Sequence, residues 1–230
     1  FKQKTAYEIP KRDWSSDVCS SDLAHDSVLT RMSRPVAQNQ ESPYASDIWP
    51  SESFEERRRT MYFNDEGIEI LHLPNAHTDG DTIVFFRKSD VIVAGNLIDT
   101  DHFPFIDLAH GGSLEGEIAA LNRIIEMAIP PGPFVGLPNG LNASDLQQGG
   151  TDIITGRGRI YRQIDVVNYR DMLVIVRDVV QSMIDKKMTL EQIKAADPAK
   201  PYKTRFGATS GPWTTNDFVE AVYKSLTTRS

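Results

Sequence analysis

Cysteine is all but missing: Cys19 is the single one in 230 residues, so no internal disulfide can form. Long apolar runs are missing too. The longest, such as Thr82–Phe86 and Val91–Ala94, have the length of a strand, far short of the roughly 20 apolar residues that span a bilayer. An excess of positive charge is also lacking. The net charge is −7 and the pI about 5.3. That excludes the basic face needed to meet nucleic acid or an anionic membrane. No internal repeat is present. What remains is an ordinary globular composition, 40% hydrophobic and 25% charged, enough chain for one large domain or two small ones.

Residues 2–23 show neither helical nor strand periodicity and lack the apolar stretch of a signal peptide. Lys2–Ile9 and Arg12–Leu23 resemble the two constant halves of a translated short-read sequencing adapter, with Pro10 and Lys11 at the index position. Residues 1–23 are therefore expected to be an artefact without fold, and residues 24–230 the domain. On this reading the natural segment before Ala24, with any targeting signal, lies outside the chain. The segment carries as many acidic as basic residues, so the domain keeps the whole charge of −7.

Along the domain, Ala24–Ser33 reads as a short helix and Pro35–Ser53 as a loop. Thr60–Phe63 and Ile68–Leu73 flank Asn64-Asp65-Glu66-Gly67, a hairpin pattern in which Gly67 offers a positive φ. Asp81–Phe86 and Val91–Ala94 flank Arg87–Asp90 as a second hairpin. Consecutive strands on short turns predict a mostly antiparallel sheet. Ser113 is a helix N-cap, followed by Ile118, Leu121, Ile124, Ile125 and Ala128 at helical spacing up to Pro130–Pro133. Phe134–Gly150 reads as irregular and Asp152–Thr155 as a strand. Asp165 is read as the cap of a long helix, Thr189 with Gln192 as a capping box, and Thr214 or Thr215 as the start of the last helix. Strands first and helices late predict a layered α/β (α+β) arrangement.

The most informative stretch is Pro74–Thr100. His77 sits in the polar loop Ala76–Asp81, ahead of two strand-like segments, the second ending in Ala94-Gly95-Asn96. A loop histidine followed by a strand pair and a second polar loop is how a metal site is hung on a sheet edge. The residues His77-Thr78-Asp79-Gly80-Asp81 resemble the His-Thr-x-Gly-Asp loop of the metallo-β-lactamase-fold hydrolase superfamily. Ala94-Gly95-Asn96 resembles its Ala-Gly-Asp loop, and Thr155-Gly156-Arg157-Gly158 its Pro-Gly-His-Gly loop. Each motif follows or precedes a strand as in the family, and they come in the family's order. The resemblance implies a four-layer αββα sandwich, here incomplete at its N-terminal half, with one or two zinc ions at one edge. It further implies hydrolysis of an ester, thioester or lactam-type bond in a small-molecule substrate. A zinc ion with an open position lowers the pKa of its bound water to about 7.

The chain departs from that pattern. The family's His-x-His-x-Asp-His cluster belongs upstream of Ala24 and is absent, and His25 and Asp26 do not reproduce it. The bridging Asp position holds Asn96, whose amide is a poor zinc ligand. The late His position holds Arg157, a permanent cation. Of the family's metal ligands His77 alone remains, so zinc is expected from the family but not bound by this chain, which is expected to be catalytically silent. Asp81 is read either as an acceptor orienting a histidine or, by preference, as the cap of the turn before Thr82. His102 and His110 are read as lining the mouth of the site or as exposed loop residues, in even balance. His72 is read as structural, His25 as a surface residue at a helix start, and Trp213 as a packing anchor.

Overall fold

A computed structural model of the chain describes residues 23–35, 41–132 and 149–227. The adapter-like segment up to residue 22 and residues 133–148 of the expected irregular stretch lie outside the described residues. The chain divides into two compact units, Phe1–Glu55 and Glu56–Ser230. The first contains strand β1 (Leu23–His25), helix α1 (Asp26–Ser33), a 3-10 turn at Ser46–Ile48 and strand β2 (Glu52–Phe54), with β1 and β2 paired in parallel. The expected helix thus gives up its first residues to β1, and the expected loop its last to β2. His25 caps α1, its imidazole accepting from Ser27 N–H.

The second unit is built on a five-stranded sheet in the order β3-β4-β5-β6-β7. Its strands are Arg58–Phe63, Glu66–His72, Thr82–Phe86, Val91–Asp99 and Asp152–Arg157. The first four are joined antiparallel, as the short turns predict. The first turn takes its positive φ at Asn64 (51°) and Asp65 (62°), not at Gly67. Two adjacent left-handed residues match the right-handed strand twist, and Asn and Asp tolerate that region. Strand β7 lies parallel to β6, which requires a crossover. The crossover carries helix α2 (Leu114–Met127).

Register places Leu71, Ile83, Phe85, Ile92 and Ile153 on one sheet face. That face is covered by α2, by α3 (Gln163–Asp185) and by α6 (Thr215–Thr227), whose apolar stripes share one core with it. Ile83, Ile92, Leu121, Ile124, Leu173 and Phe218 are fully buried there, each worth about 1.5–3 kcal/mol of transfer free energy. The short helices α4 (Leu190–Ala196) and α5 (Lys203–Phe206) complete the layer. The described residues of this unit therefore form one sheet and one helix layer, half of an αββα sandwich.

Several caps fall where expected. Ser113 Oγ accepts from Gly116 N–H, and Thr189 with Gln192 closes a reciprocal box. The cap of α3 is shifted. Arg162 is its N-cap, and Asp165 stands three residues inside, accepting from Arg162 N–H at 2.9 Å. Thr214 caps α6, exchanging bonds with Asp217.

Candidate functional site

The His77 loop, between β4 and β5, is held by bonds from several directions. Asp81 accepts from the Thr78 N–H and hydroxyl, and Thr78 Oγ1 accepts from Gly80 N–H. From the crossover, Ser113 N–H donates to Ala76 O, Asp107 N–H to His77 O, and Ser113 Oγ to Asn75 O. The His72 ring bonds Asp79 O at 2.7 Å, the structural role read for it. The start of α2 is thereby pressed onto this loop. A Cβ on Gly112 would stand 2.2 Å from His77 O, and one on Gly116 1.8 Å from Asn75 O.

The other two motif positions meet at the β6–β7 seam. Gly95 takes φ +56°, and the register shifts on either side of it. Gly156 on β7 passes so close that a Cβ would lie 2.6 Å from Gly95 O and 3.1 Å from Asn96 Oδ1. Glycine at both positions lets the strands approach and turns Asn96 and Arg157 toward the same edge.

His77, Asn96 and Arg157 line one cavity of about 480 Å³. His102 lines it as well, with its Nδ1 held at 3.3 Å from the Asp99 carboxylate. His110 is not among the lining residues. It ends the 3-10 turn Leu108–His110, with Nδ1 2.5 Å from Asp107 Oδ2, and its carbonyl accepts from Asp79 N–H. Asp81 caps the turn through Thr78, and its Oδ1 lies 3.5 Å from His77 Nδ1.

Three aromatic side chains in the cavity lining were not anticipated from the motifs. Phe103, Phe105 and Trp213 form its wall. Phe105 packs tilted on the His77 ring at 5.4 Å and edge-on to Trp213 at 4.6 Å. Trp213 thus packs, as expected, and also faces the cavity. The signal available in the sequence was the Phe-Pro-Phe run at 103–105 and the Gly-Pro turn before Trp213.

The donor set does not fit zinc. No group of three or more His, Cys, Asp or Glu side chains converges among the described residues. His77 is accompanied at the other two motif positions by a carboxamide and a guanidinium, which supply weak and repulsive partners respectively.

No family model and no curated protein matches the chain by sequence. Solved structures do match its fold. The stereoselective inverting sec-alkylsulfatase Pisa1 from Pseudomonas sp. aligns with TM-score 0.52 and 12% identity over 84% of this chain and 29% of that one. A double variant of the sec-alkylsulfatase gives the same TM-score at 11% identity. The BLEG-1 B3 metallo-β-lactamase aligns with TM-score 0.44 and 12% identity over 66% of this chain and 64% of that one. The chain thus spans less than a third of the sulfatase's length. With its three motif loops gathered at one edge of such a sheet, the chain has the metallo-β-lactamase fold.

Proposed function

We propose that the chain is part of a metallo-β-lactamase-fold hydrolase, one whose own residues neither hold zinc nor hydrolyse an ester, thioester or lactam. The observation that carries this reading is the convergence of His77, Asn96 and Arg157 on one cavity. Three positions that the family uses for metal share a wall, and two of them hold residues that reject a metal. Zinc titration followed by metal analysis of the purified chain should find no stoichiometric ion, and ester and lactam substrates should turn over no faster than in buffer. Stoichiometric zinc that is lost in His77→Ala would overturn this. Asn96→Asp with Arg157→His, in a protein that also carries an upstream histidine cluster, should regain zinc.

A second reading is favoured by the cavity itself: a non-catalytic member that keeps the fold as a binding domain for a small molecule. About 480 Å³ lies within the roughly 300–1,000 Å³ of ligand pockets, and its lining combines aromatic side chains with polar groups that could orient a ligand.

A further inference from the structure

We propose that the cavity binds a monocarboxylate with an apolar or aryl body, its carboxylate held by Arg157. The inference rests on the non-catalytic reading above. Arg157 makes no hydrogen bond or ion pair through its guanidinium with any described residue. It lies at the cavity with Asn96 beside it. Every other arginine that the described second unit carries near this edge is engaged: Arg159 with Asp165, and Arg205 with Tyr161. A planar guanidinium left open in a cavity matches a carboxylate through two parallel N–H bonds. The Asn96 amide adds a neutral donor.

The one acidic side chain in the lining, Asp99, is already occupied. It accepts from the N–H groups of Asp101 and His102 and faces His102 Nδ1. It therefore opposes an incoming anion less than a free carboxylate does. The apolar part of the ligand is specified by the aromatic side chains of the lining. Phe105 is 43% exposed and stands edge-on to Trp213, an open aromatic corner of the kind that takes a ring or hydrocarbon chain. A metal site would want anionic ligands and a bound water here. This cavity offers a cation and aromatic faces in its lining.

The test is calorimetric titration of the full chain with 4-phenylbutyrate and, in parallel, with its neutral amide. The acid should bind at least tenfold more tightly than the amide, and Arg157→Ala should remove that difference. Asn96→Asp, which places a carboxylate beside Arg157 and keeps the side chain's shape, should weaken the acid at least tenfold while sparing the amide. Equal binding of acid and amide, absence of binding of the acid, or an unchanged preference in Arg157→Ala would each overturn the proposal. The zinc titration separates the two levels. Zinc held through His77 removes the non-catalytic reading, whereas no zinc and no acid removes the carboxylate site alone.

Discussion

Glu117 on α2 is fully buried, and neither carboxyl oxygen has a hydrogen-bond partner among the described residues. Burial, and after it the charge of Asp81, pushes its pKa well above the usual carboxylate range. Tyr169, also buried, has its own pKa raised, above all by burial. Burial thus favours the neutral carboxyl in the folded protein, while the unfolded chain ionises it near pH 4.3, to within about a unit. The sign follows. Its contribution to stability is complete below the unfolded pKa and is lost as pH rises toward the folded one. Glu117→Gln removes that titration. Its melting temperature should gain on the parent's as pH rises above about 4, because the parent's unfolded state takes up the extra charge more readily than its folded state. Two parallel melting curves over that range would show that Glu117 does not titrate this way. In the sequence Glu117 reads, with Glu115, as a first-turn residue suited to the helix dipole, and its burial comes only from the packing of α2 against the rest of the core.

Gly116, in the first turn of α2, shows how an element can reverse an ordinary preference. In an exposed helix, alanine is favoured over glycine by up to about 1 kcal/mol. Here the added Cβ would meet Asn75 O at 1.8 Å, so Gly116→Ala should destabilise by about 1–3 kcal/mol, the usual cost of overpacking. Urea denaturation measures it, and a stabilised variant would mean that α2 moves off the loop without cost. Ser113→Ala should cost about 1 kcal/mol as a lost cap, with the Oγ bond to Asn75 O lost as well. The strands of both hairpins and the start of α2 were legible because alternation and cap chemistry are local. The parallel seat of β7 against β6, the pairing of β1 with β2 and the Arg162 cap of α3 were not, since each depends on segments distant in sequence or on backbone bonds without a residue signature. The three motif loops were legible as ancestry. Their meeting at one cavity, and its aromatic wall, required the sheet.

At the scale of the molecule, the core of the second unit and its cavity are continuous. Phe103, in the cavity wall, stacks on Phe218 of α6 at 4.5 Å with planes 7° apart. Phe218→Ala should cost about 3–5 kcal/mol and loosen the cavity at the same time, read as weaker phenylbutyrate binding in a still-folded variant. The helix layer, the sheet edge and the site thus share one energetic fate. The parallel seam between β6 and β7 has a consequence in time. The strands from β3 to β6 each pair with their neighbours in sequence, so their contacts are local and should close early. Strand β7 joins only after the chain from Thr100 to Thr151 has been brought round, and pairings across such separations form slowly. Asn96 on β6 and Arg157 on β7 line the cavity from the two sides of that seam, so the cavity should be completed only when β7 joins. A ligand held there should act as a latch: in stopped-flow experiments phenylbutyrate should slow unfolding while leaving the refolding rate unchanged.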